Sequence, residues 1–178
     1  MVPTKHTLVA LVEDKPGVLN RMVSLFRRRG FNIASIAVGS SELSGFSRVT
    51  FVVDGPLAMV EQVRKQLGKV VDVVKVSDIT EENIVIRELA LVKVKATSAT
   101  RSEIIQIVDV FRSDIVDVAQ DSLTIEVTGA EQKIESLLDL LRTFGIKEIV
   151  RTGCIAMTRG GAGTANGSTK GRDNEQTP

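Results

Sequence analysis

Apolar residues recur along the first part of the chain with two different spacings. Leu8, Ala10 and Val12 occupy every second position, which is typical of a strand with one buried face. The next apolar residues recur at the spacing of an amphipathic helix: Val18, Leu19, Met22, Val23 and Phe26. Two more strands, a second helix and a last strand are predicted over residues 32–40, 47–53, 57–67 and 70–76. The predicted order of this part is therefore βαββαβ.

The same order begins again after the polar stretch 77–83. Strands are predicted over residues 89–96, 115–119, 123–128 and 148–157. The two helices between them begin with sequences typical of a capping box, Thr100 with Glu103 and Thr128 with Glu131, in which both side chains bind free backbone N–H groups. The repeat predicts an α+β fold of two ferredoxin-like βαββαβ units, each an antiparallel sheet with both helices on one face.

Composition sets the limits of these units. The polar stretch separates two apolar, periodic regions, so we expect domains over residues 5–78 and 84–158. Beyond them, residues 159–178 are rich in Gly, Thr, Asn and Ser and have almost no side chain that a core could bury. We expect this last segment to be a disordered tail.

The residue inventory argues against catalysis by this chain. Catalysis needs a nucleophile or a proton-transfer group held beside a partner, but the chain has one histidine, one cysteine, no tyrosine and no tryptophan. We expect His6, at the start of the first strand, to be exposed, and Cys154 to be a small buried residue within the last strand. No motif for a phosphate loop, a dinucleotide or a metal is present. We therefore expect no catalytic residue, no metal and no cofactor in this chain.

Charge and hydropathy argue against two further classes of partner. The formal net charge is +1 at pH 7, which gives no electrostatic reason to expect nucleic acid or an anionic membrane. No apolar run approaches the ~20 residues of a membrane span, and the N-terminus lacks the apolar region of a signal peptide. We expect a cytoplasmic protein that acts without nucleic acid or membrane.

An RNA-binding module is an alternative, because such modules share the order βαββαβ. The stretch SGFSRVTF, residues 44–51, resembles the signature of their third strand. However, Ser44 stands where a basic residue is expected, and Arg48 stands where an aromatic ring would stack on a base. Without such rings, recognition of single-stranded RNA loses its main attractive contribution. RNA binding stays a minor alternative.

The connection between the first strand and the first helix has groups that complement both ends of an amino acid. A helix that begins near Pro16 and Gly17 presents free N–H groups to a carboxylate, and the absence of a side chain at Gly17 lets a ligand reach the backbone. Asp14 can accept a hydrogen bond from an ammonium group. The alternative is an ordinary turn in which Asp14 caps the helix.

The second predicted strand, residues 32–40, is an edge strand in this topology but has no Lys, Glu, Asp or Pro. Such residues usually protect an edge from pairing with another chain, and the opposite edge has Asp72 and Lys75. We therefore expect a homodimer in which two copies pair through this strand, along Ile33, Ser35, Ile36 and Val38. This pairing would bring Asn32 and Ile33 of one copy near the first loop of the other.

Two motifs give the chain a resemblance to known proteins. Pro16-Gly17-Val18-Leu19 and the stretch RGFNI, residues 29–33, resemble an ACT domain, a small-molecule sensor attached to many amino-acid biosynthetic enzymes. RGFNI, together with Ser47-Arg48 and the stretches VVDVVKV, RELALVKV and RTGCIAM, resembles one family specifically: the regulatory (small) subunit of acetolactate synthase, also called acetohydroxyacid synthase. The resemblance spans about residues 5–158 and includes both units.

The resemblance implies a role and a partner. In this family a catalytic large subunit uses thiamine diphosphate, Mg2+ and FAD to condense pyruvate with pyruvate or 2-ketobutyrate. The small subunit binds the large subunit, raises its activity and confers feedback inhibition by valine or another branched-chain amino acid, leucine or isoleucine. The cofactors belong to the catalytic partner, so none is expected here. A stand-alone ACT-type amino-acid sensor that regulates another target is an alternative.

The resemblance also implies the residues of an effector site. Gly17, Asn32 and Ile33 would line the site together with the backbone of residues 15–18, which are Lys15, Pro16, Gly17 and Val18. Many bacterial members have Asn where this chain has Asp14. An acid at this position would strengthen the contact with the effector's ammonium group or change the effector preference.

Overall fold

The computed structural model describes residues 5–28 and 30–160. Its first unit contains β1 (Lys5–Glu13), α1 (Val18–Arg28), β2 (Asn32–Ser40), β3 (Phe46–Asp54), α2 (Leu57–Leu67) and β4 (Val73–Asp78). The four strands form an antiparallel sheet in the order β2-β3-β1-β4. The predicted order of elements is confirmed, and the limits of β2 and α2 agree with their predictions.

Both helices of the first unit cover the same face of its sheet. α1 buries Val18, Met22 and Phe26, which lie on one face of the helix. These side chains pack with alternate residues of β1 and with the central strand β3, where the rings of Phe26 and Phe51 have centroids 4.9 Å apart. This core fixes the start of α1 relative to β1, and with it the position of the loop between them.

The second unit repeats this arrangement. It contains β5 (Ile84–Lys95), α3 (Arg101–Val110), β6 (Asp114–Val118), β7 (Ser122–Gly129), α4 (Glu131–Leu141), β8 (Ile146–Arg151) and β9 (Ile155–Thr158). Four of the strands form an antiparallel sheet in the order β6-β7-β5-β8. The helices bury Ile104 of α3 and Leu137 of α4 in a core with Ile125 of β7. The fold is therefore α+β with two ferredoxin-like units, as predicted.

The end of the second unit differs from its prediction. The sequence predicts one strand over residues 148–157, but the chain forms β8 and β9 with a loop, residues 152–154, between them. Gly153 has φ +80° in this loop, a backbone conformation that interrupts a strand. Cys154 consequently lies in a loop and not in a strand. Its predicted burial is confirmed, because the residue is 6% exposed.

β9 pairs with the beginning of β5, outside the order β6-β7-β5-β8 of the other four strands. The pairing runs from Ile84 opposite Thr158 to Arg87 opposite Ile155, so β5 begins five residues before its predicted start at residue 89. We call residues 84–87 and 155–158 the β5–β9 ribbon.

The β5–β9 ribbon covers the face of the first sheet that lacks helices. Val9 of β1 and Ala156 of β9 are both buried there, and the Arg48 guanidinium donates a hydrogen bond to the Ala156 carbonyl oxygen at 3.3 Å. RNA-recognition modules stack bases on the corresponding sheet face. Because the chain itself covers this face, the structure argues against the RNA-binding alternative.

Neither predicted capping box is formed. Thr100 is the N-cap of α3, but its side-chain oxygen accepts a hydrogen bond from Thr97 N–H at 3.0 Å and makes no capping bond. The N-cap of α4 is Ala130, because β7 continues through Gly129 and keeps Thr128 within the strand. In both cases neighbouring structure determines the helix start.

The prediction that His6 is exposed is wrong. β1 begins at Lys5, so His6 lies within the strand, shares the helix-covered face with Leu8 and is 4% exposed. Its Nδ1 lies 3.6 Å from the Asp78 carboxylate, and within the described part of the chain neither ring nitrogen has a hydrogen-bond partner. The alternation of Leu8, Ala10 and Val12 already placed residue 6 on the buried face, which was the signal for this position.

The end of the described chain is attached to the linker between the units. Arg159 N–H donates to the Asn83 carbonyl oxygen at 2.7 Å. The predicted tail beyond Gly160, residues 161–178, lies outside the described residues. Among the helices of the described part, none combines the length and apolar character that crossing a membrane would require.

Candidate functional site

The loop from β1 to α1 is exposed and fixed by backbone hydrogen bonds. Asp14 N–H donates to the Gly45 carbonyl oxygen at 2.9 Å, and Lys15 N–H donates to the Glu13 carbonyl oxygen at 3.0 Å. Gly17 has φ +86°, which favours glycine, and a Cβ at this position would meet no atom within 4 Å. The loop therefore presents open space beside its backbone.

The first turn of α1 has the character of an anion site. Val18 N–H donates a long hydrogen bond of 3.4 Å to the Lys15 carbonyl oxygen, and Arg21 N–H donates to the Gly17 carbonyl oxygen at 3.0 Å. Within the described residues, the N–H groups of Leu19 and Asn20 have no backbone acceptor, and the first turn has no acidic residue. A helix N-terminus in this state suits a carboxylate.

The two charged side chains of the loop differ in their availability. The Lys15 ammonium is paired with the Glu13 carboxylate, and this hydrogen bond raises the pKa of Lys15. The Asp14 side chain is exposed, and among the described residues no capping bond joins it to the first turn of α1. The alternative of Asp14 as a helix cap is therefore not supported, and its carboxylate is available to an ammonium group.

The other predicted site residues, Asn32 and Ile33, lie far from this loop in the same chain. Asn32 is opposite Asp54 at one end of the sheet, whereas β1 reaches the loop at the other end, where Glu13 is opposite Phe46. The two ends are eight residue steps apart along β3, from Phe46 to Asp54, which is about 27 Å at ~3.4 Å per step. One chain alone does not bring the predicted site residues together.

The last residue of β2, unlike its first, lies near the β1–α1 loop. β2 is an end strand of its sheet, as the sequence predicts, and Val38 on it is 51% exposed. Its last residue, Ser40, is opposite Ser47, which also pairs with Val12 of β1. The end of β2 therefore lies at the same end of the sheet as the β1–α1 loop.

Sequence reasoning missed one contact of β2. The N–H of Cys154 donates to Ser35 Oγ at 2.8 Å, so the loop of the second unit touches the edge strand of the first. An isolated glycine within a strand pattern often marks a close approach of two backbones. Gly153 in the predicted last strand was such a signal.

The described residues contain no candidate metal site and no reactive thiol. Across residues 5–28 and 30–160, no group of three or more His, Cys, Asp or Glu side chains is arranged to hold a metal ion. The sulfur of Cys154 is buried, and burial raises the pKa of its thiol. The β1–α1 loop with the start of α1 remains the site that the sequence predicts, with free backbone N–H groups at Leu19 and Asn20 among the described residues.

Comparison with known proteins matches both units of the chain. Residues 8–75 match the family described as AHAS small subunit-like ACT domain, and residues 87–160 match the family described as small subunit of acetolactate synthase. The probable acetolactate synthase small subunit of Archaeoglobus fulgidus is 53% identical over 156 residues, which are 88% of this chain and 98% of that protein.

Relatives from bacteria agree with this match. The acetolactate synthase small subunit of Mycobacterium bovis is 49% identical over 167 residues, covering 93% of this chain and 99% of that protein. The crystal structure of the small subunit from Thermotoga maritima matches with a TM-score of 0.82 at 44% identity, over 89% of this chain and 99% of that chain. The predicted resemblance is confirmed: this chain belongs to the family of acetolactate synthase small subunits.

Proposed function

We propose that this small subunit binds the catalytic large subunit of acetolactate synthase, raises its activity and makes it subject to feedback inhibition by a branched-chain amino acid. Valine is the effector that we propose first, with leucine and isoleucine as the other candidates. The observation that carries the proposal is the open N-terminus of α1 beside Gly17, in a family of enzyme subunits with an ACT domain. The start of α1 has open space and backbone N–H donors for the carboxylate of the effector.

The proposed site takes the effector by its two charged ends. The carboxylate accepts hydrogen bonds from the backbone of residues 15–18 and the following turn, where the helix dipole favours negative charge. The ammonium group binds the exposed Asp14 carboxylate. The half-buried Ile33 of a second copy gives the apolar side chain of the effector a contact surface, and Asn32 of that copy supplies a polar side chain.

The proposed site requires a homodimer that pairs through β2, along Ile33, Ser35, Ile36 and Val38. In an antiparallel pair the beginning of one β2 lies beside the end of the other. The end of β2 lies at the same end of the sheet as the β1–α1 loop. Asn32 and Ile33 of one copy would thus meet the loop of its partner, and the two-fold axis would create two equivalent sites.

We assign the two units different tasks. Residues 5–78 form the ACT domain, which binds the effector and dimerises, and residues 84–158 form the second domain. The chain itself is non-catalytic, and thiamine diphosphate, Mg2+ and FAD belong to the large subunit. In support, the only cysteine is buried and its pKa is raised by burial, which keeps the thiol protonated and unreactive. We place the complex of the two subunits in the cytoplasm.

Reconstitution with the purified large subunit tests this function. We expect the small subunit to raise acetolactate formation and to make it inhibitable by valine, leucine or isoleucine. A large subunit whose activity and inhibition do not change on addition of the small subunit would contradict the proposal. Activation without inhibition by any of the three amino acids would contradict only the sensor function, and would favour a structural activator.

A further inference from the structure

The loop at residues 152–154 packs against the backbone of the edge strand of the first unit. Besides the bond from Cys154 to Ser35 Oγ, Gly153 lies so close to β2 that a Cβ on it would come 2.8 Å from the Ile36 carbonyl oxygen and 2.9 Å from Ser35 Oγ. Only glycine fits this approach, and its φ of +80° also favours glycine. The contact is therefore built on one specific residue.

The other side of this loop is attached to the interior of the second unit. Arg151, the residue before the loop, donates from Nε and Nη2 to the two carboxylate oxygens of Glu88 at 2.9 and 2.6 Å. Its Nη1 donates to Glu135 of α4 at 2.5 Å. Glu88 is only 5% exposed, so its carboxylate is shielded from water, whereas the Arg151 side chain is 31% exposed. A movement of the loop must therefore move Arg151 against β5 and α4.

The contact between loop and strand is narrow and has space beside it. A cavity of about 290 Å3 lies between the units at this point, and Ser35, Glu88, Arg151 and Gly153 are among its lining residues. A single hydrogen bond next to a cavity can shift without disrupting either core, because the two main cores lie within the separate units.

We propose that residues 152–154 are the coupling loop that transmits effector binding from β2 to the second unit. The inference rests on the proposed function, in which Asn32 and Ile33 at the start of β2 line the effector site. Binding there repositions β2; the bond from Cys154 to Ser35 follows the strand, and Arg151 carries the displacement to the second unit. Ser35 and Gly153 are thus positioning residues, which affect inhibition without contacting the effector.

Two variants break this link at different atoms. Ser35→Ala removes the acceptor of the Cys154 N–H but keeps the backbone groups through which β2 pairs with a second copy. Gly153→Ala forces the loop away from the Ile36 carbonyl oxygen. Matched controls exist in the second unit. Ser136→Ala removes an exposed hydroxyl bonded to the Gln132 carbonyl oxygen, and Gly145→Ala places a Cβ at φ +94° with no atom nearer than 3.9 Å.

The experiment compares three quantities for each variant: valine affinity of the small subunit by calorimetry, activation of the large subunit, and the residual activity of the holoenzyme at saturating valine. We expect both link variants to keep valine affinity and activation but to lose most of the inhibition at saturating valine, because bound valine is no longer coupled to the second unit. Both controls should behave as wild type. In the wild-type protein, valine should also change the hydrogen-exchange rate of the Cys154 amide.

The outcomes separate this inference from the proposed function. Wild-type inhibition by both Ser35→Ala and Gly153→Ala, with wild-type valine affinity, would overturn the coupling loop and leave the sensor function intact. Lack of inhibition in the wild-type holoenzyme by any branched-chain amino acid would overturn the sensor function, and the inference with it. If Gly153→Ala fails to fold, Ser35→Ala alone tests the coupling loop, because it removes only the hydrogen bond from the Cys154 N–H and should leave the fold intact.

Discussion

Asn32 and Gly17 lie at opposite ends of the first sheet of one chain, although the family resemblance assigns both to one effector site. Asn32 begins β2 opposite Asp54, and Gly17 follows β1 beyond the pair of Glu13 with Phe46. A ligand that contacts both residues needs two copies paired antiparallel through β2. Effector binding is therefore expected to depend on dimerisation, and a charge placed on the edge strand should weaken both.

Val38→Lys tests the edge pairing. Val38 is 51% exposed in the single chain, so lysine can be accommodated in the fold, but a charge on an edge strand opposes pairing with a second chain. We expect the variant to be monomeric at micromolar concentration and to lose valine binding. Light scattering and calorimetry measure the two effects. Val71→Lys, at a position 95% exposed outside the strands, is the control and should stay dimeric; a dimeric Val38→Lys with normal valine binding would contradict the pairing.

Phe26→Ala tests the core that positions the start of α1. Phe26 is 1% exposed and contacts the rings of Phe31 and Phe51. Truncation leaves a cavity, for which we expect a loss of about 3–5 kcal/mol in the free energy of unfolding. Denaturant unfolding of the wild-type protein and the variant measures this loss in the free energy of unfolding. Leu57→Ala, at a residue 62% exposed, should cost much less, and equal costs for both would argue against this core.

Arg151→Ala tests the ion pair that neutralises the buried Glu88 carboxylate. Removing the guanidinium leaves the Glu88 carboxylate without its bidentate partner at a site 5% exposed. An uncompensated buried charge typically costs about 3–5 kcal/mol. The exposed pair of Arg142 with Asp139 provides the control, since Arg142→Ala should cost at most ~1 kcal/mol. Denaturant unfolding of both variants distinguishes the two environments.

The buried thiol of Cys154 makes stability depend on alkaline pH. Burial, and after it the Glu88 carboxylate, raises the pKa of Cys154, so the folded state holds this proton to higher pH than the unfolded state does. The contribution to stability is complete below the unfolded pKa of about 8.5 and is lost as the pH rises through the folded pKa. We expect the free energy of unfolding to fall between pH 8 and pH 10, measured with denaturant, and to fall less in Cys154→Ala. Parallel pH curves for the two proteins would contradict this.

Local patterns predicted most of the fold because burial follows the spacing of apolar residues. Residues 32–40 and 57–67 form β2 and α2 at their predicted limits. The failures arise where tertiary contacts decide. β9 pairs with the beginning of β5 and covers the first sheet, and Gly153 contacts Ile36 of β2, 117 residues away in sequence. The glycine indicates a close backbone approach, but no local pattern identifies its partner.

The candidate site was predictable only in its local half. A helix N-terminus was predictable from residues close together in sequence: Asp14, Pro16 and Gly17. The structure has this helix N-terminus, with open space at Gly17. Asn32 came from the expected pairing of β2 and from the resemblance, because its distance from the loop within one chain exceeds any direct contact. The lack of charged residues and proline along residues 32–40 was the one local sign of a site shared between two copies.

Complementation between two defective chains tests most directly whether the effector site lies across the dimer. Gly17→Asp puts a carboxylate where we propose that the effector carboxylate binds, and Asn32→Ala removes the side chain that we propose the partner copy supplies. Loss of charged hydrogen bonds of this kind is worth ~1.5–3 kcal/mol, so each homodimer should bind valine about 10- to 150-fold more weakly. Gly145→Asp, at another glycine with positive φ, should bind normally.

Calorimetric titration of an equimolar, re-equilibrated mixture of Gly17→Asp and Asn32→Ala chains with valine decides the question. Half of randomly mixed dimers contain both chains, and each mixed dimer has one site built from two wild-type halves. We expect wild-type affinity to return at about one quarter of the wild-type number of sites. A mixture that recovers no tight site, although mixed dimers form, would contradict a site shared between two copies.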